Sequence, residues 1–228
     1  MQIVYLAGTD SRARDDIGVS SVKLEYFNQL CDIADVIVVS HPYVPNFLKS
    51  NKKNFVIREL HRETRGALVS ASFALADLVS EVSFLIVPAN SVIPPLYISE
   101  FFQNMKMQKS VAGALVLQST DPNYSYARKD KENRVIEIVE KQVAGNCALA
   151  GIYYFDSPEV FQACAQWALV NNVITEGRYF LSPALNYFLA SGVEIGLYDI
   201  PSQDYLRFDT ISQAESSIKR WGQLYGKL

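Results

Sequence analysis

The sequence has few cysteines and histidines and no excess of either charge. Its 228 residues include three cysteines and two histidines, and 21 basic against 24 acidic side chains leave a formal charge of −3. Cys31, Cys147 and Cys164 form no CxxC pair, which argues against a disulfide framework and against a structural zinc site. The near-neutral charge argues against a binder of nucleic acid or of an anionic membrane, because such proteins carry a basic face.

Long apolar runs are also missing, and no leader is predicted. No apolar stretch reaches the ~18 residues of a membrane-spanning helix. The first eight residues form a short strand-like run with no basic region before it and no cleavage site. The sequence therefore predicts a cytoplasmic protein without a membrane partner. Hydrophobic residues make up 49% of the chain and charged residues 20%, a balance that excludes a disordered or low-complexity protein.

The first half of the chain alternates short apolar runs with helical patterns. Apolar runs predict strands and periodic segments predict helices. The predicted strands cover 3–6, 35–40, 54–59 and 84–88, and the predicted helices cover 19–33 and 66–79. Uninterrupted apolar strands that are separated by helices indicate a parallel sheet covered on both faces.

The second half has a different pattern. An antiparallel strand pair is predicted at 126–128 and 135–140, around the polar turn 130–133. Further strands are predicted over 110–118, 147–155 and 193–200, and helices over 158–169, 182–191 and 211–225. No linker or repeat interrupts the chain, so residues 1–228 are predicted to form a single domain. Its fold class is a three-layer α/β/α arrangement with a mixed, mostly parallel central sheet.

Several short motifs follow one another in a fixed order. They are TRGA at 64–67, LIVPANSV at 85–92, EK at 140–141, GIYYF at 151–155, GRYFLSPALN at 177–186 and FDT at 208–210. In this order, and over most of the chain, they resemble the motifs of the sugar-phosphate nucleotidyltransferases. The resemblance implies that family's three-layer fold, which many glycosyltransferases also share.

The resemblance implies a reaction in which a nucleoside triphosphate and a sugar phosphate give a nucleotide-linked sugar and pyrophosphate, for surface polysaccharide synthesis. Two anions must then be held in line, which requires cationic donors and a divalent metal ion on carboxylates. By resemblance, Lys23 and Lys141 are the catalytic residues that bind phosphate, and Asn90 and Asp209 stand at the positions that hold Mg²⁺. The implied ligand-binding residues are Gly8, Arg12, Gly66, Ala67, Glu140 and Gly151.

The chain departs from the family pattern at several of these places. The first turn keeps Gly8 but has Thr9 and Ser11 at glycine positions, and their side chains restrict a close approach of the backbone to phosphate. Arg12 matches the family's arginine only after a shift of one residue. Asn90 stands where the family has its first metal-binding aspartate, and a neutral amide is a poor ligand for Mg²⁺.

Three functions are left open by these departures. They are active nucleotidyl transfer, binding of a nucleotide, a sugar phosphate or another subunit without chemistry, and glycosyl transfer on the same fold. The nucleobase, the sugar and homo-oligomer formation are not decided by the sequence.

Several of the singled-out residues also have structural alternatives. Lys141 could be the solvated end of a strand, and Asp209 could be the N-cap of the last helix. The two histidines are predicted to be structural, and the aromatic side chains of 153–155, Tyr179 and Phe180 are predicted to belong to the core.

Overall fold

The computed structural model describes residues 1–8, 17–41, 48 and 54–225. Its strands are β1 (Gln2–Ala7), β2 (Asp35–Ser40), β3 (Val56–Glu59), β4 (Phe84–Pro88), β5 (Ser91–Val92), β6 (Ala112–Gln118), β7 (Ser125–Lys129), β8 (Val135–Val139), β9 (Cys147–Phe155), β10 (Gly196–Asp199) and β11 (Leu206–Arg207). Its helices are α1 (Ile17–Ile33), α2 (Ala67–Ser72), α3 (Pro95–Met107), α4 (Pro158–Val170), α5 (Leu181–Ala184), α6 (Asn186–Ala190) and α7 (Ile211–Tyr225), with 3-10 turns at Phe73–Ala76 and Ser202–Asp204. Within these ranges, no helix combines the length and the apolar character needed to cross a membrane.

The central sheet has two halves of different construction. Its strand order is β10-β6-β9-β4-β1-β2-β3, and the β7–β8 hairpin joins it through β9. Strands β3, β2, β1 and β4 run parallel to one another and form the parallel half. Strand β9 runs antiparallel to β4, β6 and β7. The antiparallel half consists of β6, β7, β8 and β9, with β10 added parallel to β6 at the outer edge. The predicted mixed sheet is confirmed.

Helices cover both faces of the sheet because successive strand residues point in opposite directions. On β1, Tyr5 packs in one hydrophobic cluster, where its ring makes an edge contact with Phe27 of α1. Leu6, the next residue, belongs to a second cluster that also contains Leu68 of α2. The two clusters lie on opposite sides of the sheet, which gives the three predicted layers.

Some predicted elements differ from the structure. β3 is shorter than predicted, and Val56 is 49% exposed because β3 lies at the edge of the sheet. The predicted helix over 66–79 is α-helical only to Ser72 and continues as a 3-10 turn. The predicted helix over 182–191 is divided at Leu185, whose N–H bonds to the carbonyl of Ser182, three residues back. Helix α3 was not predicted from the sequence, and it begins with a proline at its first position.

Candidate functional site

A cavity opens at the carboxyl ends of β1, β2 and β4. Gly8 follows β1, His41 follows β2, and Ala89 and Asn90 follow β4, and all four residues line the cavity. Strands β2 and β4 lie on opposite sides of β1, so this is the point at which the strand order reverses. Open α/β sheets bind ligands outside the carboxyl ends of their strands at such a switch point. The topology therefore selects this edge of the sheet as the candidate site.

The size and charge of the cavity suit an anionic small molecule. Its volume is about 680 Å³, within the range of ~300–1,000 Å³ that is usual for small-molecule sites. Among the described lining residues, Lys23, Arg65 and Arg178 are basic, whereas Glu63 is the one carboxylate. The described part of the lining thus has an excess of positive charge.

Gly66 shapes one wall of the cavity. Its φ of +123° and ψ of 171° lie in a backbone region that is essentially restricted to glycine. A Cβ at this position would lie 2.8 Å from the backbone nitrogen of Tyr179 and closer still to its carbonyl oxygen. The Tyr179 N–H donates to the Arg65 carbonyl at 2.7 Å, and the Leu68 N–H donates to the Tyr179 carbonyl at 3.2 Å. This close backbone contact fixes Gly66 and Ala67 in the cavity lining.

Lys23 brings a buried cation to the cavity from α1. The residue is 7% exposed and lines the cavity. Its Nζ lies 5.5 Å from the centroid of the Phe208 ring, within the range of a cation–π contact. The structure therefore places this lysine, which was predicted to bind phosphate, in the cavity lining.

Asn90 and Asp209 form a direct contact although 119 residues separate them. The Asn90 Nδ2 donates a hydrogen bond to Asp209 Oδ1. Arg207 donates to the other carboxylate oxygen, Oδ2, from Nε at 2.7 Å and also from Nη2. Asn90 lines the cavity, whereas Asp209 reaches the lining only through its hydrogen bond with Asn90.

The residues at this predicted metal position do not fit Mg²⁺. The ion requires near-octahedral oxygen ligands at about 2.0–2.1 Å. Asp209 is the one carboxylate of this contact, Arg207 already balances its charge, and Asn90 turns its amide nitrogen, not its oxygen, towards the carboxylate. In the described ranges, no group of three or more histidine, cysteine or acidic residues could hold a metal ion.

The alternative interpretation of Asp209 as a helix N-cap is wrong. The Thr210 Oγ1 accepts the Gln213 N–H at 3.2 Å, and the Gln213 Oε1 accepts the Thr210 N–H at the same distance. This reciprocal pair is a capping box at the start of α7. Thr210 is therefore the N-cap, and the Asp209 carboxylate is left to interact with Asn90 and Arg207.

Lys141 lies beside the cavity and contacts one of its lining residues. The residue occupies a turn at φ +53° and forms an ion pair with Glu176. Its Nζ lies 5.2 Å from the ring centroid of Phe180, which lines the cavity together with Gly177. Lys141 itself is absent from the described lining residues. Phe180 was predicted to belong to the core, and its place in the cavity wall corrects that prediction.

Glu140 and Gly151 belong to the antiparallel half and are also absent from the described lining. Glu140 accepts hydrogen bonds from the hydroxyls of Ser125 and Ser182. Asn186 holds the neighbouring strand β8, because its side chain both accepts the N–H and donates to the carbonyl of Ile138 at 2.8 Å. Gly151 has φ +80° within β9.

The cavity contains residues that the sequence analysis did not place in the site. His41 is 6% exposed, and its Nε2 lies 3.4 Å from the Ser70 hydroxyl. Ser70 in turn contacts the Thr64 hydroxyl at 2.6 Å. The position of His41 directly after a buried strand was the signal that could have identified it. Arg65 and Arg178 lie inside the motifs at 64–67 and 177–186, and those motifs were the signal that could have identified them.

The structure thus brings together some of the predicted site residues and separates others. Five of them line the cavity: Gly8, Lys23, Gly66, Ala67 and Asn90. Asp209 and Lys141 contact residues of the wall, whereas Glu140 directly follows β8 and Gly151 belongs to β9. Arg12, Thr9 and Ser11 lie outside the described residues.

Comparison with known proteins identifies relatives that differ greatly in length. The family model described as "Nucleotidyl transferase" matches residues 30–192. The bifunctional protein GlmU of Lactobacillus gasseri is 29% identical over 163 residues, which are 67% of this chain and 34% of GlmU. This chain therefore spans about a third of the length of the curated relatives that it matches.

Solved structures share the fold over almost the whole chain. The nucleoside-diphosphate-sugar pyrophosphorylase from Vibrio cholerae RC9 has a TM-score of 0.74 at 16% identity, with 96% of this chain and 100% of that chain covered. The inositol-1-phosphate CTP transferase from T. maritima has a TM-score of 0.69 at 14% identity, with 96% of both chains covered. The family model covers well over half of the sequence, and on that match the chain belongs to the nucleotidyl transferase family.

Proposed function

We propose that this protein transfers a nucleotidyl group from a nucleoside triphosphate to a sugar phosphate. The observation that supports the proposal is the cavity at the strand-order switch point, with the buried cation Lys23 and the fixed turn at Gly66 in its lining. One similar structure is named an inositol-1-phosphate CTP transferase. The substrates in that name, a nucleotide and a phosphorylated acceptor, belong to the same class as the pair proposed here.

In the proposed reaction, a phosphate oxygen of the acceptor bonds to the α-phosphorus of the nucleotide. The bond from that phosphorus to the oxygen of the β-phosphate breaks, and pyrophosphate leaves with this oxygen. Both reactants are anions, so fixed cations must hold them within reaction distance. We assign this task to Lys23 and to the arginines of the lining, Arg65 and Arg178.

The acceptor is assigned to the side of the cavity where Lys141 lies. The acceptor's phosphate would replace the Glu176 carboxylate as the partner of the Lys141 ammonium. Glu140, held by two serine hydroxyls, has the acceptor chemistry to bind sugar hydroxyl groups. The proposal includes a cytoplasmic role in surface polysaccharide synthesis, which rests on the resemblance noted from the sequence.

A second candidate function is binding of the same ligands without transfer. The contact of Asn90 with Asp209, and of Asp209 with Arg207, favours it, because these side chains do not present the oxygen ligands that Mg²⁺ requires. The two candidates share the cavity and differ only in turnover.

Calorimetric titration with CTP, UTP, GTP, ATP and dTTP, followed by a pyrophosphate-release assay with sugar phosphates, separates the candidates. Micromolar binding of one nucleotide with pyrophosphate release supports transfer. Binding without release supports the second candidate. No binding of any nucleotide overturns both.

A further inference from the structure

The surroundings of Arg207 point to a role that the family resemblance does not assign. Strand β11, which ends at Arg207, pairs antiparallel with β5, and Arg207 lies opposite Ser91. The Phe208 N–H then donates to the Asn90 carbonyl at 2.8 Å. This pairing carries the Arg207 side chain to the place where Asn90 and Asp209 meet, next to the cavity wall.

The Arg207 guanidinium is held on several sides. Its side chain is 18% exposed, and the guanidinium carbon lies 4.5 Å from the centroid of the Tyr124 ring. Two of its nitrogens donate to Asp209 Oδ2, and Nη1 lies 3.9 Å from the carboxylate of Asp121. Burial lowers the pKa of Arg207, but the Asp209 carboxylate and the two nearby tyrosines outweigh it and raise the pKa overall. Arg207 is therefore a permanent, fixed cation.

A carboxylate beside an anion-binding cavity repels the ligand unless a cation neutralises it. Arg207 neutralises Asp209 by donating from Nε to its Oδ2 oxygen and by forming an ion pair with it. A divalent ion at Asp209 Oδ1 would have to displace the Asn90 amide. It would also be repelled by the positive charge of the guanidinium on the same carboxylate.

We propose that Arg207 takes the place of a divalent metal ion at Asp209, so that the cavity binds its phosphate ligand without a protein-bound metal. The inference rests on one part of the proposed function, namely that the cavity binds a phosphate. It also implies that the protein has no metal site at Asp209, and this can be tested without any nucleotide.

The first experiment measures Mn²⁺ binding to the free protein by electron paramagnetic resonance. We expect no site in the wild type at millimolar Mn²⁺ and a new site in the double variant Asn90→Asp/Arg207→Met, in which two carboxylates face each other without the guanidinium. Adding Asp209→Asn to this variant should remove the site. Circular dichroism melting checks that all three proteins are folded, and the single variant Arg207→Met, in which Asp209 loses its guanidinium partner, replaces the double variant if that protein does not fold.

Two outcomes of this experiment overturn the inference. One is Mn²⁺ binding by the wild type that Asp209→Asn abolishes. The other is a folded Asn90→Asp/Arg207→Met variant that gains no Mn²⁺ site, because Arg207 would then not be what excludes the metal.

The second experiment titrates the five nucleoside triphosphates in EDTA and in Mg²⁺. We expect the wild-type affinity for the bound nucleotide to agree within about twofold in the two conditions. Arg207→Met leaves Asp209 unneutralised, and should lower the affinity in EDTA about tenfold or more, with recovery in Mg²⁺. A wild-type affinity that falls tenfold in EDTA, with the fall abolished by Asp209→Asn, overturns the inference. If no nucleotide binds at all, the proposed function fails while the Mn²⁺ result still decides the metal question.

Discussion

Lys23 and Lys141 were predicted from the same resemblance, yet the two halves of the sheet position them differently. Lys23 lies on α1 against the parallel half, where it is buried and lines the cavity. Lys141 lies in a turn of the antiparallel half, where its side chain is 34% exposed and pairs with Glu176. The first cation is fixed by the core, whereas the second is held by surface contacts.

The same contrast applies to the backbone around the two lysines. In the parallel half, strand ends and the Gly66 turn are fixed by main-chain hydrogen bonds. In the antiparallel half, side chains add to the main-chain ladders: Asn186 bonds the backbone of Ile138 in β8, and two serine hydroxyls bond the Glu140 carboxylate. Side chains change conformation more easily than the backbone of the Gly66 turn, so the parallel half is expected to provide the stable nucleotide side of the cavity and the antiparallel half an adjustable acceptor side.

The largest effect is expected from Gly66→Ala. A Cβ would enforce a strained φ and clash with the backbone of Tyr179, so the free energy of unfolding should fall by about 3 kcal/mol or more. Chemical denaturation measures it. Gly145→Ala is the matched control, because its φ is +109° but no atom lies within 4 Å of the added Cβ. The control should lose only about 1–2 kcal/mol from strain. Equal losses in the two variants would show that the contact with Tyr179 does not matter.

Lys23→Met and Lys141→Met compare the two cations directly. Removing the buried ammonium should weaken nucleotide binding about 10- to 100-fold, the loss of a charged interaction worth about 1.5–3 kcal/mol. Lys141→Met should change the nucleotide affinity by no more than about twofold, since the residue lies outside the described lining. Calorimetric titration with the nucleotide that the wild type binds provides both values. Similar losses in the two variants would contradict the division between the halves.

The parts of the site that follow from strand ends could be predicted from the sequence. Apolar runs identify β1, β2 and β4, and the carboxyl ends of parallel strands meet at one edge of the sheet. Gly8 and Asn90 therefore fall in the cavity as expected. His41 occupies the equivalent position after β2 and was missed only because no motif included it.

The contacts of Arg207 could not be predicted, because they depend on pairing between segments far apart in the chain. The β5–β11 register brings Arg207 to the Asn90–Asp209 contact, and no local pattern around residue 207 specifies that register. The helix cap is a different case. Thr210 with Gln213 forms a capping-box pattern that is visible in the sequence and would have excluded Asp209 as the cap.

Asn186→Ala tests whether a side chain holds the antiparallel half. The change removes both hydrogen bonds to Ile138 and leaves its N–H and carbonyl without these partners, so the free energy of unfolding should fall by about 2 kcal/mol. Amide hydrogen exchange should speed up in β8 while β1 is unaffected. Asn171→Ala is the control, because Asn171 makes one exposed bond to the Trp167 carbonyl and should lose about 0.5 kcal/mol or less. If the two variants lose the same stability, Asn186 does not fix β8.

The smallest effect is expected from Glu176→Gln, which removes the charge that competes for Lys141. The ion pair is exposed on the Glu176 side, where the side chain is 64% accessible, so stability should change by less than about 1 kcal/mol. The released ammonium should bind an acceptor phosphate about two- to threefold more tightly, measured by titration with glucose 1-phosphate at low salt. High salt should reduce the difference, because exposed charges are screened.

The double variant Lys141→Met/Glu176→Gln shows whether Glu176 affects phosphate binding through Lys141 or directly. If Glu176 acts only through Lys141, the gain in phosphate affinity should vanish when the lysine is absent, as a double-mutant cycle requires. A gain that persists without Lys141 would mean that Glu176 repels the phosphate directly. In that case the acceptor side would be tuned by the 175–178 turn, in which Thr175 and Arg178 exchange backbone hydrogen bonds, and Lys141 would serve mainly to hold Phe180 in the cavity wall.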